Sequence, residues 1–359
     1  MDRFKDGYYH FANDLLDYPD AWCYVVWSRR GPGKTYSGLL YAYENHIPII
    51  YMKRTDEDVD MITTKNEQAL DFDPSPYAPL NEDKGFNIQP VKIKKGFGAF
   101  YDTDTEGNPY GNAIAYVLSF NQVKRLKGFN FRQIRWIIFD EFIPQQGEFS
   151  RRSEGEKLLD LYMTISRDRQ KRGNDILKLV LFANAEEVST PVTNELEIID
   201  DMVELSVSNK PTFFDSDRNI LLHHITLDEI PLTPTEKKGI YAGMYGTAWW
   251  KKSFEGGFTH NDFTNISKRT LKHSRGFIHL KHKTHDMYIY LNQNNGMYYM
   301  TSTPTRCMFD FDLGRENEQK KFWIDFGIDL RNSCIEERMK FEKYSMYDLI
   351  VNYKKFYAV

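Results

Sequence analysis

Apolar runs of strand length recur through the first 200 residues, separated by helical and turn-forming stretches. Ala21–Trp27 is apolar throughout and is followed by a glycine-containing turn and a helix from Lys34 to about Asn45. Ile49–Met52, just after Pro48, forms a second short strand, and Ile134–Phe139 and Leu177–Ala183 form two more. Leu158, Leu161, Tyr162 and Ile165 fall at helical spacing, which predicts an amphipathic helix from Glu154 to Arg169. Lys92–Tyr101 and Ala113–Ser119 read as a meander interrupted by the turn-rich Asp102–Asn112. Asp71–Pro90, rich in Pro, Asp and Asn, reads as a surface excursion. Strands that are apolar throughout, with helices between them, indicate a largely parallel sheet covered on both faces.

The pattern changes after residue 200. Pro231, Pro234, Lys237, Lys238, Gly239, Gly243, Gly246, Gly256 and Gly257 mark a turn-rich connector. Beyond Arg275 come short strands, Gly276–Leu280, Met287–Leu291 and Met297–Thr301, the last two joined as a hairpin through Asn292–Gly296. Helical stretches at about Glu316–Phe326 and Tyr344–Phe356 complete a small α/β domain. The expected organisation is an α/β domain over residues 1–200, a lid or linker over 201–270, and a second α/β domain over 271–359.

Charge divides the same way. Residues 1–230 hold 27 Lys and Arg against 37 Asp and Glu, a net of −10, whereas 231–359 hold 20 against 14, a net of +6. A basic C-terminal piece on an acidic N-terminal one suggests that part of the surface meets a polyanion; the alternative is chance segregation. Cys23, Cys307 and Cys334 show neither a CxxC pair nor metal spacing, which points to free thiols in a reducing compartment. No apolar run approaches a membrane span, and the N-terminus lacks an apolar signal core.

The strongest chemical signal is Ser28-Arg29-Arg30-Gly31-Pro32-Gly33-Lys34-Thr35, directly after a strand and opening a helix. A phosphate-binding loop needs small residues whose N–H groups close around phosphate oxygens, a Lys for the β/γ-phosphates, and a Ser/Thr hydroxyl for Mg²⁺. Gly31, Gly33, Lys34 and Thr35 meet these demands, and the helix N-terminus adds a favourable field. Ser28 stands where the first glycine of such loops usually lies. A second signal makes the first specific. Trp136–Phe139 is an apolar strand that runs into Asp140 and Glu141. Asp140 suits the metal, and Glu141 suits the general base that polarises the attacking water. The two motifs together read as an ATP-binding P-loop enzyme using Mg²⁺.

Other residues extend this reading. Asn184 ends the strand Leu177–Ala183, where it would sense a γ-phosphate or cap the following helix. Arg167, Arg169, Lys171 and Arg172 close the helix after the acidic strand. They either complement its dipole or supply an arginine finger to a neighbouring subunit. Lys124, Arg125 and Lys127, before the acidic strand, read as contacts to DNA or to a neighbouring ATP site, or as a solvated loop; Lys53 and Arg54 have the same alternatives.

Trp27–Thr35, Ile137–Ile143, Thr164–Gln170 and Leu181–Asn184 occur in the order seen in phi-29-like phage DNA-packaging ATPases, which the chain resembles. These are short relatives of large terminase ATPases. The resemblance implies an additional-strand P-loop domain with a catalytic glutamate and a C-terminal RNase H-like domain. It further implies a motor that moves double-stranded DNA into a procapsid as a homopentameric ring docked on a portal, with a structural RNA as a further candidate partner. The place of action would be the host cytoplasm, at the portal vertex. Carried over by position, Lys34 and Thr35 serve nucleotide and metal, Asp140 the metal, Glu141 the water, and Arg167 acts in trans. Terminase nucleases converge several acids on two metal ions, including one on the first strand of the fold. Phe277–Leu280 carries no acid, and nothing in the spacing of Asp286, Asp310 and Asp312 assembles a metal site. A vestigial nuclease is therefore expected, with a complete terminase and a non-hydrolysing nucleotide switch as alternatives. His279, His282 and His285, three residues apart on strand-like sequence, should not share an ion.

Overall fold

Six parallel strands form the centre of a nine-stranded sheet, and their apolar runs lie inside it. The computed structural model describes residues 6–64, 73–126, 131–145, 147–148, 150–167, 169–250, 257–258 and 261–358. The chain divides into two compact units, Met1–Leu196 with Glu204–Thr259, and Glu197–Val203 with His260–Val359.

The first unit opens with α1 (Phe11–Asp17), β1 (Cys23–Ser28) and α2 (Lys34–Glu44). It continues through β2 (Ile49–Lys53), α3 (Asp56–Thr63), α4 (Ala78–Lys84), β3 (Ile88–Lys94), β4 (Phe97–Thr103) and β5 (Pro109–Ser119). The acidic strand is β6 (Trp136–Asp140), followed by α5 (Glu154–Ser166), β7 (Lys178–Asn184), β8 (Thr212–Asp215) and β9 (Ile220–Ile225). The strand order is β3-β4-β5-β2-β6-β7-β1-β9-β8. Strands β5 to β9 in that order pair in parallel, while β3, β4 and β8 add antiparallel edges. β1, β6 and β9 are buried along their whole length, as strands covered on both faces must be.

Three expectations change. The described part of the Asp71–Pro90 stretch, from residue 73, is not simply a surface excursion: α4 begins with Pro79 in its first turn, and Tyr77, Leu80 and Ile88 are fully buried in the core. Lys92–Tyr101 is not one strand: it holds the end of β3, a tight turn with Gly96 at φ 68°, and most of β4. Residues 212–225, expected in a lid or linker, supply β8 and β9, and β9 pairs directly with β1.

The second unit is a mixed five-stranded sheet of β10 (Ser274–His282), β11 (His285–Asn292), β12 (Tyr298–Thr301), β13 (Phe309–Asp312) and β14 (Met339–Phe341). Its order is β13-β10-β11-β12-β14, an antiparallel meander with a parallel strand on each edge. Ile278, Leu280, Ile289 and Met300 pack one face of this sheet against Phe322, Leu330, Leu349 and Tyr353 of the helical segments. The helix predicted to stop near Phe326 continues through a π-helical turn, Trp323–Gly327, into Ile328–Ile335.

Candidate phosphate-binding cleft

β7 lies between β1 and β6, so the glycine loop and the acid pair leave the same edge of the sheet one strand apart. This edge, the carboxyl end of parallel strands, is where open α/β sheets bind ligands. After β1 the chain turns through Arg29–Gly33 and enters α2 at Lys34. Gly31 and Gly33 have φ of 100° and 90°, left-handed values that disfavour any side chain. Pro32 has no N–H, and its carbonyl accepts the Tyr9 N–H at 2.9 Å. The Phe11 N–H donates to Ser37 Oγ at 2.6 Å, so the N-terminal segment is tied both to the loop and to α2. Beneath it, Tyr9 Oη donates to Asp14 at 2.6 Å, and Asp14 faces His223 of β9 at 2.8 Å.

Lys34 is buried, and its ammonium donates to Ser28 Oγ and, at 3.2 Å, to the Arg29 carbonyl. Asn184 Oδ1, at the end of β7, lies 3.5 Å away. Burial pulls the Lys34 ammonium down to about 8, against the raising influence of Asp140. Thr35 Oγ1 donates to Asp140 Oδ1 at 2.9 Å across a separation of 105 residues. The other Asp140 oxygen accepts from Tyr51 Oη at 2.7 Å and Lys53 Nζ at 2.9 Å. Lys53 Nζ also donates to Glu141 Oε2 at 3.0 Å. Burial works to raise the Asp140 carboxyl, but the Lys53 charge and three hydrogen bonds outweigh it and hold it below its ordinary value. By the same balance Lys53 is held above its own, although burial opposes it. Glu141 sits at φ 57°, a left-handed conformation for a non-glycine residue. Strain of this kind gathers at functional sites.

The cleft has a volume of about 340 Å³ and is lined by Arg30, Gly31, Gly33, Lys34, Thr35, Tyr36, Asp140, Glu141, Ala183 and Asn184. A cationic loop at a helix N-terminus faces paired carboxylates across it. That arrangement can hold phosphate oxygens on one side and place a base on the other. The Thr35 hydroxyl and Asp140 carboxylate are the hard oxygen donors that suit Mg²⁺.

No protein-family model matches the sequence, and no curated protein is significantly similar to it. Solved structures are informative. A chain of the bacteriophage Phi-29 viral genome packaging motor assembly aligns with a TM-score of 0.65 at 16% identity, over 97% of this chain and 99% of that one. A chain of the Phi-28 gp11 DNA packaging motor aligns with a TM-score of 0.59 at 15% identity, over 97% of each. This chain has their fold.

Within that fold, the expected residues separate. Arg30 through Thr35 and Asn184 come together with Asp140 and Glu141, except that Pro32 is buried and gives its carbonyl to the Tyr9 N–H instead. Ser28 is fully buried beneath the loop as an acceptor for Lys34. Arg29, expected at the nucleotide, is buried and turned away, with Ile230 O at 3.4 Å and Glu236 at 3.3 Å. Asn184 caps no helix; the next helix is capped by Thr190. α5 ends at Ser166 rather than Arg169. Arg167 is exposed just beyond it, whereas Arg169 is buried and donates to the carbonyls of Arg132, Ile134 and Asp175. Lys124 and Arg125 belong to the 3-10 turn Phe120–Leu126, and Lys127 lies outside the described residues.

The reading of Lys53 and Arg54 as outward contacts fails. Lys53 bridges the acid pair, and Arg54 is buried behind it. Tyr51 is the site residue that the sequence reading missed, and the role of Lys53 and Arg54 inside the site is what it did not see. Their signal was position, at the carboxyl end of a strand beside the acidic one. In the second unit, His279 meets Asp310 and Asp286, His282 meets Tyr357, and His285 meets Glu197. Among the described residues no three His, Cys, Asp or Glu side chains are grouped to hold a metal ion.

Proposed function

We propose that this chain is an ATP-hydrolysing motor that drives double-stranded DNA into a viral procapsid, working as a ring of copies docked on a portal protein. The observation that carries the proposal is the meeting of Thr35 with Asp140 at 2.9 Å, with Glu141 next along the chain. The fold shared with chains of two packaging-motor structures supplies the context.

In this reading the N–H groups of Gly31, Gly33 and Lys34 and the Lys34 ammonium hold the phosphates, with Arg30 at the rim and Asn184 near the terminal phosphate. Thr35 and Asp140 would hold Mg²⁺, which neutralises phosphate charge when bound. Glu141 accepts the proton of the attacking water. Lys53 keeps Asp140 ionised and holds both carboxylates in place until nucleotide arrives. Arg167 extends from the exposed end of α5 toward a neighbour's nucleotide, and Lys124, Arg125 and Lys127 serve DNA or that neighbour. The second unit binds DNA without cutting it, and a structural RNA would bind at the portal. The place of action in this reading is the portal vertex in the host cytoplasm; no helix among the described residues is long and apolar enough to cross a membrane.

Steady-state hydrolysis of ATP by the full chain, with and without duplex DNA, tests the proposal. Turnover stimulated by duplex and abolished in Lys34→Ala is expected. Turnover indifferent to DNA would overturn the motor reading, and ATP binding without hydrolysis would make the protein a nucleotide switch.

A further inference from the structure

Arg54 follows β2 directly and is buried, yet its guanidinium reaches three groups of the segment that leaves the acidic strand. One terminal nitrogen donates to the Phe142 carbonyl at 2.9 Å, and the other donates to Glu154 Oε2 at 2.8 Å. Its Nε lies 3.5 Å from Glu148 Oε2. Phe142 is the residue after Glu141, whose backbone is left-handed. A non-glycine residue keeps such a conformation only where its surroundings over-determine it. Here they do: the Phe142 N–H donates to Phe182 O of β7 at 3.1 Å, and Arg54 takes the carbonyl. The preceding residue, Lys53, holds the Glu141 side chain at 3.0 Å.

We propose that Arg54 is a positioning residue for Glu141, locking the backbone just past the base and tying it to the start of α5. The inference rests on the ATPase reading above. Glu154 is the first residue of α5, is itself buried, and also accepts the Arg151 N–H at 3.0 Å. Glu148, the carboxylate beside the Arg54 Nε, also accepts the Gln145 N–H at 3.0 Å. One planar fork therefore fixes the exit of the base and the entry of the helix that ends beside Arg167. A buried ion pair is weak evidence for stability, since desolvation offsets much of its attraction. Placement beside a strained catalytic residue gives this one a function. A lysine at position 54 would keep the charge, but a point ammonium cannot reproduce a fork that serves a carbonyl and a carboxylate together.

The full chain carrying Arg54→Lys tests this. The turnover number should fall by about ten- to a hundredfold, the range expected when a reacting group is misplaced by roughly an ångström. Equilibrium ATP binding should stay unchanged. In a Glu141→Gln background, single-turnover hydrolysis should show no further loss from Arg54→Lys, because the effect passes through the base. An unchanged turnover number, a loss of ATP affinity in step with rate, or an undiminished loss in the Glu141→Gln background would each overturn the inference. If melting curves show that Arg54→Lys does not fold, Glu154→Gln replaces it, since it leaves Arg54 bonded to Phe142. A smaller fall in turnover at unchanged affinity then supports the inference, and weakened affinity or no fall overturns it. A wild-type chain that does not hydrolyse ATP overturns both readings, whereas a wild-type ATPase indifferent to Arg54→Lys overturns this one alone.

Discussion

Each unit holds a histidine between two carboxylates. In the first, His223 Nδ1 lies 2.8 Å from Asp14 and Nε2 lies 3.3 Å from Glu229. In the second, His279 Nδ1 lies 2.9 Å from Asp310 and Nε2 lies 2.9 Å from Asp286. The distances are alike and the surroundings are not: the side chains of His223 and Asp14 are each 1% exposed, against 53% for Asp286 and 79% for Asp310. Charges in water gain little from pairing, while buried ones must be paired or lose their charge. In the cleft, Asp140 belongs with the first case, since it and Lys53 are largely buried and hold each other ionised. A contact list alone would rank all three alike, and burial separates them.

Arg167 is the sharpest challenge to equating exposure with silence. It is exposed in this chain, and on the proposed reading it faces another copy's phosphates in a ring and is buried only on assembly. Fingers of this kind contribute roughly 10³–10⁵ in rate. Arg167→Ala should keep ATP binding and lose most DNA-stimulated hydrolysis, and Arg167→Lys should not restore it. Mixed rings of Arg167→Ala and Glu141→Gln subunits should recover turnover that neither shows alone. Mixed rings of verified size that stay inactive would place Arg167 in cis or in a purely structural role.

Glu141 stands between the extremes, half exposed at the cleft and held by Lys53. Glu141→Gln should bind ATP normally and hydrolyse it about 10²–10⁴-fold more slowly, the usual contribution of a positioned base. Near-normal turnover in single-turnover measurements would remove the base from this residue and weaken the contrast between the two units.

Much of this site was legible in the sequence, because its principal parts are short and local. The glycine loop needs residues 28–35 alone, and the acid pair announces itself as an apolar strand ending in two carboxylates. Lys53 was not legible: its partners lie 87 and 88 residues away, and only the pairing of β2 with β6 brings them together. β9 was missed for another reason. Its sequence, ILLHHI, carries two histidines in an otherwise apolar run, and both are buried. Polar residues that find partners inside the core look like surface when counted singly. α4 was hidden by Pro79, which suits a first helical turn but reads as a loop when it is surrounded by Asp and Asn.

The His223 cluster turns the comparison into a pH dependence. Burial alone would pull the imidazole down, but the Asp14 charge and hydrogen bond, with Glu229 behind them, push it up to about 9 from 6.5. A raised histidine contributes its stability in full below its unfolded value and loses it as pH climbs through the folded one. The melting temperature should therefore fall between pH 6.5 and about 9. Asp14→Asn should cost about 3–5 kcal/mol near neutrality, as breaking a buried pair does, and should flatten that slope. Equal slopes in wild type and Asp14→Asn would show that the cluster does not control the transition.

The smallest effect is expected in the second unit. His279 stacks on Tyr288 with ring centroids 4.8 Å apart, and strand register sets Asp310 directly beside it. Because each ring nitrogen already faces a different carboxylate, the imidazole occupies the space on which the two acids converge. A divalent cation needs several oxygen lone pairs aimed at one point, and here they are aimed at a ring. Asp310→Asn should thus change stability by about 1 kcal/mol at most, the range of exposed ion pairs. Mg²⁺ or Mn²⁺ should neither raise the melting temperature of the wild type nor let it nick duplex DNA. The informative failure would be nicking that depends on Mn²⁺ and disappears in Asp310→Asn. It would mean that His279 swings aside to admit an ion, that the exposed cluster is a working site, and that exposure was a poor guide in this half of the molecule.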